Sequence, residues 1–140
     1  MIANPLNVLL IDDDFLNNYI STKFIQRYFT NSNITSCLNG KIAIDLLADN
    51  KAKQPEFNYD YIFLDLNMPV MNGWEFLDQY TFLKIDPTVK SNLFLLTSSI
   101  HKDDVSKASK YPLIKEFITK PLYSEKIMEI FNVAQLSDSN

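Results

Sequence analysis

Apolar residues come in short runs along this chain, and nearly every run ends on a polar residue. Residues 8–11 (Val-Leu-Leu-Ile) stop at Asp12-Asp13-Asp14, and residues 61–64 (Tyr-Ile-Phe-Leu) stop at Asp65. Residues 93–96 (Leu-Phe-Leu-Leu) stop at Thr97-Ser98-Ser99, and a short predicted strand, 116–118 (Glu-Phe-Ile), stops at Thr119-Lys120-Pro121. Continuous apolar runs of this length predict strands buried on both faces. Residues 34–38 alternate less clearly and predict one more strand, closed by Asn39-Gly40. Helical spacing fills the gaps. Over 15–29, Leu16, Ile20, Phe24 and Tyr28 recur every fourth residue beside Tyr19 and Ile25, with Asp14 placed as the N-cap. Over 41–50 the expected inner face is Ile42, Ala43, Leu46 and Leu47, and residues 48–60, with Pro55, read as a long exposed loop. Over 74–83 the inward residues are Phe76, Leu77 and Tyr80, and Asp86-Pro87 breaks the pattern. A polar helix over 101–110 offers only Val105 and Ala108 as contacts. A last helix, capped by Ser124, carries Ile127, Ile130, Phe131 and Ala134 on one face, and the tail 136–140 is expected to fray.

Strand and helix thus alternate five times, which implies an α/β fold with a parallel sheet and helices on both faces. Ligands of such sheets bind beyond the carboxyl ends of the strands, where the strand order reverses. In the five-strand order 2-1-3-4-5 that point lies between the first and third strands. Asp12, Asp13, Asp65, Thr97 and Lys120 all end strands, so they converge on one rim. A carboxylate directly after a buried strand needs water or a cation, because burying it unpaired is costly. The two glycines, Gly40 and Gly73, mark turns, and Gly73 is free to take a positive φ. Neither belongs to a Gly-rich phosphate loop.

Bulk properties narrow the picture. The chain has 140 residues, 46% apolar and 21% charged, which fits one folded domain. A formal net charge of -4 with no dense basic patch argues against DNA binding. The single cysteine, Cys37, excludes an internal disulfide and reads as a small buried strand residue. No signal peptide or membrane-spanning run is visible, so the expected location is the cytoplasm. The sole histidine, His101, reads as an exposed residue near a helix start.

Carboxylates gathered in one pocket repel each other, and a hard divalent cation relieves that repulsion. Oxygen ligands without imidazole or thiolate favour Mg²⁺ or Mn²⁺ over zinc. Asp13 and Asp65 are candidate direct ligands, Asp12 a water-mediated one, and the Asn67 backbone carbonyl a further one. Asp14 is set aside as the cap, since one cap needs one acid. Lys120 and Thr97 could hold phosphoryl oxygens on Asp65, a carboxylate able to form an acyl phosphate.

These residues resemble a response-regulator receiver domain of two-component signalling over essentially the whole chain. The matching parts are Asp12-Asp13 after 8–11, Asp65-Leu66-Asn67-Met68-Pro69-Val70-Met71-Asn72-Gly73, Leu96-Thr97-Ser98, and Lys120-Pro121. The resemblance implies a flavodoxin-like (βα)5 three-layer sandwich, with a core over about residues 6–135. It implies that Asp65 takes a phosphoryl group from a phosphohistidine on a sensor histidine kinase or histidine phosphotransfer protein. Asp12, Asp13, Asp65 and the Asn67 carbonyl would serve Mg²⁺, and Lys120 would contact the phosphoryl group. Thr97 and Phe117 would be switch residues, coupling the site to the face of the fourth helix, fifth strand and fifth helix. The Lys120-Pro121 bond would be cis. The chain ends after the fifth helix, so no output domain is expected. It would act by binding a downstream protein or as a phosphoryl relay between two histidine proteins, as a monomer or as a dimer formed on phosphorylation. It would promote its own phosphorylation and dephosphorylation rather than turn over a substrate. Two alternatives stand beside this. An Asp-nucleophile phosphatase of the haloacid dehalogenase type would need an acid where Asn67 stands. A scaffold that is never phosphorylated would not need the complete set of five.

Overall fold

The structure, a computed structural model, describes residues 4–138. Strands β1 (Leu6–Ile11), β2 (Ser32–Cys37), β3 (Tyr61–Asp65), β4 (Asn92–Thr97) and β5 (Ile114–Thr119) alternate with five helices. These are α1 (Phe15–Tyr28), α2 (Gly40–Lys53), α3 (Gly73–Phe82), α4 (Lys102–Ala108) and α5 (Ser124–Asp138). Every strand pair is parallel, in the order β2-β1-β3-β4-β5. This is the flavodoxin-like arrangement expected above.

Alternate strand residues face opposite layers. Leu9, Ile11, Ile62, Leu64, Leu93 and Leu95 meet Ala43, Ile44 and Leu47 of α2 and Phe76, Leu77 and Tyr80 of α3. Val8, Leu10, Tyr61, Phe63, Phe94 and Leu96 meet Ile25 of α1 and Ile127, Ile130 and Phe131 of α5. Central β3 is buried at all five positions, as its unbroken apolar run requires. Its terminal carboxylate is thereby carried to the end of the best-protected strand.

Several helix faces differ from expectation. On α1 the buried line is Asn18, Ser21 and Ile25, while Leu16, Tyr19 and Tyr28 are exposed. A strict every-fourth-residue stripe gains about 40° per step on a 3.6-residue helix and winds off the sheet. On α2 the buried residues include Ile44 rather than Ile42, which is half exposed. That helix runs on to Lys53, so the connection to β3 is shorter than the predicted 48–60 loop. Its polar last turns read as loop because they face solvent, with Lys53 reaching Asp49 at 3.1 Å. Asn39 caps it by accepting from the Ile42 N–H at 2.9 Å. α5 continues through Asp138, past the predicted frayed start at 136. The Ala134 side chain and residues 139–140 lie outside the described residues.

Helix α4 buries no residue at all; Val105 is half exposed. It is fastened instead to the start of α3. The Lys107 ammonium lies 5.0 Å from the Trp74 ring centre. Tyr111 lies 5.5 Å from the same ring and donates its hydroxyl to Asp78 at 2.7 Å.

Candidate metal centre at the carboxyl rim

Each site residue is delivered by a strand end. β1 hands over Asp12 and Asp13, β3 ends on Asp65, β4 ends on Thr97, and Lys120 follows β5. Asp12 and Asp65 are 1% and 2% exposed, whereas Asp13 faces solvent. Carboxylate oxygens of all three acids lie within 4.8 Å of one another. The Lys120 ammonium stands between the two buried acids, 3.1 Å from Asp12 Oδ2 and 3.2 Å from Asp65 Oδ1. The Lys120 backbone N–H donates to the Thr97 carbonyl at 2.8 Å, which ties the end of β5 to the rim. The Lys120-Pro121 bond is cis, as expected.

Two acids and one lysine leave the pocket short of positive charge. Burial is the main force that raises the Asp65 carboxyl to about 7, the neighbouring Asp12 charge adds to it, and Lys120 opposes it. Burial alone would lower the Lys120 ammonium, but the Asp12 and Asp65 charges outweigh it and hold it raised. Asp65 Oδ1 accepts from Lys120 and from the Asn67 N–H at 3.3 Å. Asp65 Oδ2 is buried without a hydrogen-bond partner among the described residues. A buried carboxylate oxygen without a partner among the described residues, beside two further acids, suits the binding of a cation. The donor set is all oxygen, which matches Mg²⁺ or Mn²⁺ as predicted.

The loops around the pocket are tightly set. Gly73 does not take the positive φ expected of it. It is required for space, because a Cβ there would fall 2.8 Å from the Asp65 carbonyl oxygen and 2.9 Å from Leu66 Cα. The left-handed residue of this loop is Val70, with φ 69°. The Met71 N–H donates back to the Pro69 carbonyl at 2.7 Å, which closes a γ-turn around it. Asn72 and Glu75 then exchange capping bonds that start α3.

Thr97 is at the rim, but its hydroxyl donates to the Ser99 carbonyl at 2.8 Å, turned into its own loop. Ser99 Oγ lies 2.9 Å from His101 Nε2 at the start of α4. Phe117 pairs with Leu95 in the sheet and is half buried against the α2–α3 side. Sequence reasoning missed Asn18, which is buried and donates to the Asp12 carbonyl at 3.0 Å. The available signal was its place on the i, i+3, i+7 line with Ser21 and Ile25. Cys37 is buried, and burial pushes its thiol up to about 11, so it is a packing residue as read.

A doubly wound parallel sheet with three acids, a hydroxyl and a lysine at its switch point defines a receiver-type signalling domain. The chain belongs to the response regulator receiver domain family, whose family model matches residues 8–132. It is 35% identical over 125 residues to a protein-glutamate methylesterase/protein-glutamine glutaminase of Treponema pallidum (strain Nichols). That match covers 88% of this chain and 28% of the Treponema protein. Two-component response regulator 24 of Arabidopsis thaliana is 27% identical over 129 residues, covering 92% of this chain and 84% of its own length. In three dimensions the chain is similar to a two-component response regulator from Cytophaga hutchinsonii. The TM-score is 0.80 at 30% identity, over 95% of this chain and 98% of that one. Receiver domains bind Mg²⁺ at an acidic pocket and interact with histidine kinases or phosphotransfer proteins. No helix among the described residues is long and apolar enough to cross a membrane.

Proposed function

We propose that Asp65 accepts a phosphoryl group from a phosphohistidine on a sensor histidine kinase or histidine phosphotransfer protein. The observation that carries this reading is the buried Asp65 carboxylate, with an unpartnered oxygen, between two acids and a lysine. One Asp65 oxygen attacks phosphorus in line. The P–O bond forms as the P–N bond breaks, and the imidazole nitrogen keeps the electron pair. Asp13, Asp65 and the Asn67 carbonyl would hold Mg²⁺, with Asp12 as a water-mediated ligand beside them. When bound, Mg²⁺ neutralises charge on the carboxylates and on the transferred oxygens. Lys120 is already 3.2 Å from Asp65 Oδ1 and turns its ammonium to the new phosphoryl oxygens. The protein is modified rather than acting as a turnover enzyme.

The same group biases a two-state element. Thr97 leaves the Ser99 carbonyl for a phosphoryl oxygen, and Phe117 moves inward. The α4–β5–α5 face then changes and binds a downstream protein in the cytoplasm. Intact mass after incubation with Mg²⁺ and acetyl phosphate tests this, on wild type and on Asp65→Asn. One phosphoryl adduct that needs both Mg²⁺ and Asp65 is expected. No adduct, with no response to beryllofluoride, would leave a scaffold that is never phosphorylated as the better account.

A further inference from the structure

Asp13 projects into solvent at the turn where the chain leaves β1 for α1. A ligand carboxylate so placed owes its direction to the backbone on either side of it. On one side the Asp12 N–H donates to the Cys37 carbonyl at 3.1 Å, the last link to β2. The Asp12 carbonyl then leaves the sheet, and the side-chain amide of Asn18 donates to it at 3.0 Å. On the other side the Asp14 carbonyl accepts from the backbone N–H of Asn18 at 3.1 Å. One residue therefore holds both carbonyls that flank Asp13. The Asp14 N–H, donating to Asp12 Oδ1 at 2.9 Å, closes the turn from within.

Asn18 is also an unusual choice on packing grounds. It is 5% exposed and lies on the buried line of α1 with Ile25. An apolar side chain would fill that place without desolvating an amide. The amide is bonded to the turn that carries two of the three acids. It lies too far along the helix to cap it, and Asp14 already does so, accepting from the Leu16 and Asn17 N–H groups.

We propose that Asn18 is a positioning residue for the divalent cation, bracing the Asp12–Asp14 turn so that Asp13 is held in ligating direction. This rests on the Mg²⁺ reading above. Partners that orient metal ligands from behind typically change affinity by about 10–100-fold when removed. The lower end is expected here, because Asn18 acts through backbone.

The test is Mg²⁺ binding by calorimetry on wild type, Asn18→Leu, Ser21→Ala and Asp13→Asn. Asn18→Leu keeps the bulk and removes the donor. Ser21→Ala alters the same buried helix face without touching the acid turn. The expected result is Mg²⁺ binding about 10-fold weaker in Asn18→Leu and unchanged in Ser21→Ala. In acetyl phosphate reactions the half-saturating Mg²⁺ concentration should rise alike, while the rate at saturating Mg²⁺ stays within about two-fold of wild type. Equal Mg²⁺ affinity in wild type and a folded Asn18→Leu overturns the proposal and leaves the Mg²⁺ reading intact. Wild type that binds no better than Asp13→Asn overturns the Mg²⁺ reading, and the proposal with it. If Asn18→Leu does not fold, Asn18→Ala is judged by the same criteria. If both unfold, Asn18 is a structural residue and the proposal is overturned.

Discussion

Without metal, the Asp65 carboxylate is a destabilising charge, so replacing it by its neutral amide should strengthen the fold. Burial and Asp12 raise its pKa from the ordinary 3.8 to about 7 in spite of Lys120. Between those two values the unfolded chain has released this proton and the folded chain keeps it. Stability therefore falls as pH rises through that window, by about 1.4 kcal/mol per pH unit, and levels off above pH 7. Roughly three pH units give an upper limit of about 4 kcal/mol. An amide stands in for the protonated acid. Asp65→Asn in chelator should thus melt near wild type at pH 4 and well above it at pH 8. For a domain of this size the gap would approach about 10 °C. Adding Mg²⁺ at pH 8 should raise wild type, through binding to the folded state, and move Asp65→Asn much less. The assay is a set of melting curves across pH with and without Mg²⁺. An Asp65→Asn protein no more stable than wild type at pH 8, or a gap as wide at pH 4, would refute the reasoning.

Two further substitutions test the loop after β3. Gly73→Ala sets a methyl 2.8 Å from the Asp65 carbonyl oxygen, where only backbone can yield. A loss of about 1–3 kcal/mol and weaker Mg²⁺ binding are expected from melting and titration, and an unchanged melting curve would contradict the crowding. Val70→Gly removes a side chain that is 79% exposed from a residue at φ 69°. Relief of about 1–2 kcal/mol of left-handed cost, less glycine's own entropy cost of about 0.5–1 kcal/mol, leaves a gain of up to about 1.5 kcal/mol in chemical denaturation, and a loss would show that Val70 is not strained.

The strand ends were the most legible part of the chain. An apolar run broken by a carboxylate has one reading in a parallel sheet, and Asp12, Asp65, Thr97 and Lys120 all lie where their runs placed them. What could not be read was which side of each helix faces the sheet. Small polar residues such as Asn18 and Ser21 lie under α1, so the conspicuous apolar stripe pointed elsewhere. The end of α2 was obscured for the opposite reason, since its last turns face water and look like loop. The need for Gly73 was visible, but its cause was not: the loop folds back so that Gly73 crowds the backbone of Asp65 and Leu66, and that close approach replaces backbone torsion as the reason. The orientation of Thr97, turned toward Ser99, depends on a rotamer that no sequence pattern encodes.

The shallow seating of α4 has a consequence for time as well as for structure. With no buried side chain, its amides can exchange with solvent without any opening of the core, through a local unwinding that breaks the helix's own backbone bonds together with two ring contacts and one phenol hydrogen bond. Such contacts are worth about 1 kcal/mol each. The helix should therefore detach and reseat many orders of magnitude more often than the sheet unfolds. Trp74, the sole tryptophan of the chain, sits inside that fastening. Its emission gives the molecule a built-in optical clock for the detachment of α4, with no label attached.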